Sequence, residues 1–103
     1  MTNTVLITGT SSGLGRAAAK LSHGKDWNVV ATMRDPSKET ELHDIDGFLV
    51  PRLDVEDATS ISEAVRRGIS RFGSIDVLVN NAGFGAFGPL EVTPKATSGK
   101  ANL

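Results

Sequence analysis

The sequence predicts an α/β fold, a doubly wound parallel sheet truncated to about four strands in the order 3-2-1-4. Two observations predict it. Short apolar runs alternate with helical stretches along most of the 103 residues. The runs are nearly continuous in apolar residues, the pattern of strands covered on both faces. Helical stretches separate these runs, and right-handed crossovers then wind the sheet outward in both directions from its first strand.

Thr4-Val5-Leu6-Ile7-Thr8 is the first strand, rich in β-branched residues, uncharged and closed by Gly9. A helix follows from about Gly13 to Ser22. Leu14, Ala17, Ala18 and Leu21 fall at i, i+3, i+4 and i+7 and mark its core face. His23-Gly24-Lys25-Asp26 breaks it, and Trp27 to Met33 is the second strand. Asp35-Pro36-Ser37 starts a short helix to about Leu42, with Pro36 near its first position. Phe48 to Asp54 is the third strand, weakened at Pro51, which offers the ladder no donor. Ile61, Ala64, Val65, Gly68, Ile69 and Phe72 then trace one apolar face of a helix from about Asp57 to Phe72, and Gly73 stops it. Ile75 to Asn80 is the fourth strand. Residues 1–94 read as part of a single domain and residues 95–103 as an irregular polar tail.

Composition excludes several functions. Eleven basic and twelve acidic residues leave a net charge of −1. With no basic run, nucleic acid is not an expected partner. No apolar stretch approaches the ~18–20 residues of a membrane span. Met1 to Thr10 lacks the positive start of a signal peptide. Cysteine is absent, which removes disulfides, thiolate chemistry and cysteine metal sites together. The expected compartment is the cytoplasm. His23 and His43 read as solvated side chains, so no metal is expected.

The chemistry lies in the turn Thr8-Gly9-Thr10-Ser11-Ser12-Gly13-Leu14-Gly15, between the first strand and the first helix. Free N–H groups and the dipole make a helix N-terminus a site for a dinucleotide pyrophosphate. Side chains on the turn would hold the anion off. Glycine at Gly9 and Gly13 permits a tight turn and close approach, and Gly15 lets the helix pack on the strand. Ser11 and Ser12 add hydroxyl donors. A plain strand–helix turn also favours glycine, but its place between a buried strand and an amphipathic helix argues for the ligand. No Gly-Lys-Ser/Thr follows, so this is not a mononucleotide P-loop.

With Asp54-Val55 after the third strand and Asn80-Asn81-Ala82-Gly83 after the fourth, Thr8-Gly9-x-x-x-Gly13-x-Gly15 resembles the short-chain dehydrogenases/reductases over roughly residues 4–94. All three motifs stand at carboxyl ends of strands, where open α/β sheets bind ligands. The resemblance implies a Rossmann-like NAD(P)-binding fold in an oxidoreductase that moves hydride between the cofactor and a carbonyl or alcohol. It implies that Gly9, Ser11, Ser12, Gly13, Leu14 and Gly15 bind the cofactor. It implies that Asp54 hydrogen-bonds the adenine amino group, with Val55 beside the ring, and that Asn81, Ala82 and Gly83 line the cofactor. A helix cap is the competing use of Asp54.

Members of the family that prefer NAD carry an acid at the end of the second strand, and those that prefer NADP carry arginine one position later. Alignment on Val29-Val30 puts Met33 at the acid position and Arg34 at the arginine position, which favours NADP(H) over NAD(H). A guanidinium matches a 2′-phosphate in charge and forked geometry. Asp35 stands as the competing ribose acid, about 20 residues on from the glycines.

The resemblance breaks at catalysis. The family uses Tyr-x-x-x-Lys with a serine, all beyond a fifth strand, in domains of roughly 250 residues. This sequence has no tyrosine. The expectation is therefore an N-terminal cofactor-binding portion, inactive alone, with no catalytic residue assigned. A carbonyl or alcohol substrate is a partner only of a chain with the C-terminal half. Two other readings stand beside it: a non-catalytic module that holds or senses NADP(H), and an inert truncated product. Ile75–Asn80 would also be an exposed sheet edge, open to self-association. Ala31-Thr32-Met33-Arg34-Asp35-Pro36 resembles reductases of steroids, retinoids and aliphatic carbonyls.

Overall fold

A computed structural model of the chain describes residues 2–81 and 91–93. In chain order the elements are β1 (Thr4–Ile7), α1 (Gly13–Gly24), β2 (Asn28–Ala31), β3 (Phe48–Leu49), α2 (Ala58–Phe72), β4 (Val77–Asn80) and β5 (Glu91–Thr93). Two 3₁₀ turns, Pro36–Lys38 and Leu42–Asp44, lie between β2 and β3. The sheet order is β3-β2-β1-β4-β5. The first four strands are parallel, with Val5 opposite both Val29 and Val77, as the sequence predicts.

Alternate residues of these strands feed two cores. Val5, Ile7, Val29 and Ala31 face α1 and pack with Ala19, Leu42 and Phe48. Leu6, Val30 and Leu78 face the other way and pack with Ala64 and Leu53. Both faces are covered, which is why the strands read as unbroken apolar runs. The central strand β1 is wholly buried.

Four expectations change. Most of the face of α1 predicted to meet the core is turned outward: Leu14 is 59% and Leu21 63% exposed, while Gly15 and Ala19 are buried and Ala18 alone of the predicted four packs against the core. Small residues let the helix axis come close to the sheet, and the bulky stripe is rotated away. The helix expected from Pro36 to Leu42 is two short turns, because the backbone is extended at Glu39. Strand β3 stops at Leu49, ahead of Pro51. Its ladder resumes past the proline as a lone bridge between Met33 and Arg52. Finally, β4 is not the edge of the sheet, since β5 pairs antiparallel along it with Asn80 opposite Glu91. Three residues are too few for periodicity to reveal.

Candidate functional site

The glycine turn is pinned from both neighbouring strands. On the β2 side, Thr10 donates its amide and its hydroxyl to the Thr32 carbonyl at 3.1 and 3.0 Å. Thr32 in turn donates its hydroxyl to the Ile7 carbonyl at 2.9 Å. On the β4 side, Asn81 donates its amide to the Thr8 hydroxyl at 2.8 Å and its side-chain NH₂ to the Gly9 carbonyl at 3.1 Å. The fold therefore fixes the turn before any ligand arrives.

Two glycines of the turn adopt left-handed backbone, Gly9 at φ 68° and Gly13 at φ 63°. Gly15 is held by crowding instead. A Cβ there would stand 2.1 Å from the Gly9 carbonyl oxygen and 2.6 Å from the Asn81 side-chain nitrogen. A Cβ on Gly13 meets nothing within 4 Å. Ser11, Ser12, Gly13 and Leu14 are exposed at the start of α1. Ser12 is the N-cap, yet its side chain makes no capping bond. The turn thus presents the Ser11 and Ser12 hydroxyls, unbonded among the described residues, and helix N–H groups outward, the arrangement that receives an anion.

Beside the turn lies an open cleft of about 660 Å³. It brings together five of the predicted residues, Gly9, Ser11, Arg34, Asp54 and Val55. Ser12, Gly13, Leu14 and Gly15 belong to the turn above it, and Asn81 meets the turn from β4. Ala82 and Gly83 lie outside the described residues. Arg34 is exposed and makes no hydrogen bond or ion pair among the described residues. Asp35 accepts from the Ser37 amide at 3.2 Å and from its hydroxyl, and the hydroxyl holds its carboxyl below the usual range. Asp54 does not cap α2. Asp57 does, accepting from the amides of Thr59 and Ser60. Asp54 accepts from the Glu56 amide at 3.0 Å, which closes a tight turn at the cleft wall.

Residues outside the predicted set complete the wall. Lys38 and Glu39 line the same cleft. Arg16 Nη1 donates to Glu39 Oε1 at 2.8 Å, and Nη2 donates to Glu39 Oε2 at 3.2 Å and to Glu41 Oε1 at 2.7 Å. Glu39 also accepts from the Glu41 and Leu42 amides, both at 2.8 Å, and its side chain is only 5% exposed. Arg16 is the main cause that lowers the Glu39 carboxyl to about 2. Lys20 adds a contact to Glu41 at 3.1 Å. These pairs join α1 to the β2–β3 connection across more than twenty residues, a separation no local pattern reports. Ser60, buried at the start of α2, accepts from the Asp54 amide at 2.9 Å and sets the height of Asp54 in the wall.

A family model described as short chain dehydrogenase matches residues 3–100. An uncharacterized oxidoreductase of Schizosaccharomyces pombe is 42% identical over 86% of this chain and 30% of its own length. Human retinol dehydrogenase 8 is 43% identical over 85% of this chain and 30% of its own. Among solved structures, a 3-ketoacyl-(acyl-carrier-protein) reductase from Brucella melitensis complexed with NADH is similar, with a TM-score of 0.68 and 32% identity. That match covers 74% of this chain and 32% of the reductase. The chain thus spans about 30% of the length of the curated relatives it matches.

Proposed function

The chain belongs to the short-chain dehydrogenase family, and from that premise we propose that it forms the NADP(H)-binding portion of an oxidoreductase acting on a carbonyl or alcohol. The observation that carries this reading is the glycine turn. Gly15 has no room for a Cβ beneath the Gly9 carbonyl, while Gly13 leaves open space at an uncapped helix start. The residues present fit a dinucleotide: a cradle for the pyrophosphate, and next to it a cleft of about 660 Å³ for the adenosine half.

Each residue then has a task. The amides after Gly9, with the Ser11 and Ser12 hydroxyls, bind the pyrophosphate. Asp54 takes the adenine amino group and Val55 covers one side of the ring. Asn81, Ala82 and Gly83 line the path toward the nicotinamide. Arg34 binds the 2′-phosphate, supported by its lack of any partner among the described residues. Asp35, the competing ribose acid, is engaged by Ser37. When bound, the cofactor supplies or accepts the hydride. The proton would not come from a tyrosine of these 103 residues, since they contain none. That composition favours a second reading of the chain by itself, a module that binds the dinucleotide without turning over substrate.

Titration of the chain with NADPH, followed by Trp27 fluorescence, tests the first claim. Saturable binding is expected, and Gly13→Trp should weaken it by about tenfold or more because the indole stands over the helix start. Absence of binding, or a folded Gly13→Trp variant that binds equally well, overturns it. A panel of aldehydes and ketones with NADPH separates the two readings: the binding module gives no oxidation of NADPH, and the self-sufficient enzyme does.

A further inference from the structure

The cleft beside the turn carries two cations, Arg34 and Lys38. The backbone leading into Arg34 is held by the sheet, because its neighbour Met33 bridges Arg52 and accepts the Leu53 amide at 2.9 Å. Lys38 is not. It ends the 3₁₀ turn Pro36–Lys38 on the connecting arm, 86% exposed, and its ion pair with Asp35 spans 4.0 Å, the outer limit of such a contact. Locally the arm is held by Asp35 accepting from Ser37 and by His43 Nε2 meeting the Pro36 carbonyl at 3.1 Å. The residue after Lys38, Glu39, adds a tie from a distance. Its carboxylate receives both terminal nitrogens of Arg16, which lies one residue past Gly15 on the first turn of α1. The arm is therefore tied to the same helix end that shapes the glycine turn.

The charges sort accordingly. Arg16 is matched by Glu39 and Glu41 and does not compete for an anion in the cleft. Asp35 stays ionised, held so by the Ser37 hydroxyl, but its pair with Lys38 is long and exposed, so Lys38 can leave it for a doubly charged group. A phosphate monoester carries nearly two negative charges near neutral pH, and two cations approaching it from different elements match it better than one.

We propose that Lys38 is a second specificity-determining cation for the 2′-phosphate, and that Arg16, acting through Glu39, is the positioning residue that keeps Lys38 at the cleft. The proposal rests on the NADP(H) reading above and adds to it a residue on the arm and one on α1.

The test measures dissociation constants for NADPH and NADH by calorimetry on the full 103-residue chain. The variants are Lys38→Ala, Arg16→Ala and the double variant, with Arg34→Ala as control and circular dichroism as the check on folding. Lys38→Ala should weaken NADPH about three- to fivefold, the worth of one exposed ion pair, and leave NADH unchanged. Arg16→Ala should lower the NADPH-to-NADH preference by a similar factor. The double variant should lose no more than either single variant, since both remove one interaction. If Arg16→Ala does not fold, Glu39→Gln breaks the same tie while keeping a side-chain carbonyl for the Glu41 and Leu42 amides. Lys38→Ala with unchanged NADPH affinity, beside an Arg34→Ala that weakens it, overturns this proposal and leaves the NADP(H) reading standing. Unchanged affinity in both overturns the two together. An Arg16→Ala or Glu39→Gln variant that weakens both nucleotides equally, or a double variant with additive loss, overturns the positioning role.

Discussion

Gly13 and Gly15 belong to one turn, yet different forces keep them glycine. At Gly15 the obstacle is the Gly9 carbonyl, 2.1 Å from where a methyl would sit, so Gly15→Ala must push helix and strand apart. The expected loss is about 2 kcal/mol in urea denaturation, the usual cost of overpacking against something that cannot turn aside. At Gly13 the space is open and the cost lies in a φ of 63°. Gly13→Ala should lose about 1 kcal/mol, the penalty of a left-handed residue with a Cβ. Glu39 supplies a prediction in pH. Its carboxyl is lowered from the ordinary 4.5 to about 2 by Arg16. The native state therefore binds its proton less readily than the unfolded chain does. Its contribution to stability is complete above about pH 5 and falls away as the pH drops toward 2. Urea midpoints followed across that window should decline in the wild type, and Glu39→Gln should flatten the part of the slope that Glu39 supplies. An equal slope in the variant would contradict the assignment.

At the scale of elements, the strands and both long helices were legible because burial on two faces and a helical period leave strong local marks. The facing of α1 was not. Periodicity finds an apolar stripe but does not tell which small residues the sheet requires, and Gly15 with Ala19 determines the facing. In α2 the stripe and the core agree better: Ala64 and Gly68 are buried and Ile61, Val65 and Phe72 pack at the margin. Its start also follows local chemistry. The Asp57 side chain accepts from Thr59 and Ser60 at 3.1 and 3.4 Å. Asp57→Ala should lower stability in urea denaturation by about 1 kcal/mol, and Asp57→Asn by much less. The arm between β2 and β3 has the sequence pattern of a helix, but its conformation answers to Arg16, a residue far away in sequence. The site divides the same way. Motif residues at strand ends were readable, whereas Lys38 and Glu39 enter the wall through pairing across space.

For the molecule as a whole, binding and stability are linked. A ligand that recognises only the folded chain adds about 2.7 kcal/mol when present at a hundred times its dissociation constant. NADPH should therefore raise the melting temperature of the wild type in a concentration-dependent way, and should leave a folded Gly13→Trp variant where it was. A melt indifferent to NADPH would contradict the proposed function. The placement of β5 has a consequence of its own. A strand has two flanks, and those of β4 are occupied by β1 on one side and by Glu91–Thr93 on the other. Any newcomer wishing to lengthen the sheet there, from this polypeptide or another, must either dock outside this three-residue strip or peel it away first. The strip runs along Leu78, Val79 and Asn80, most of the length of β4, so that flank is taken rather than open.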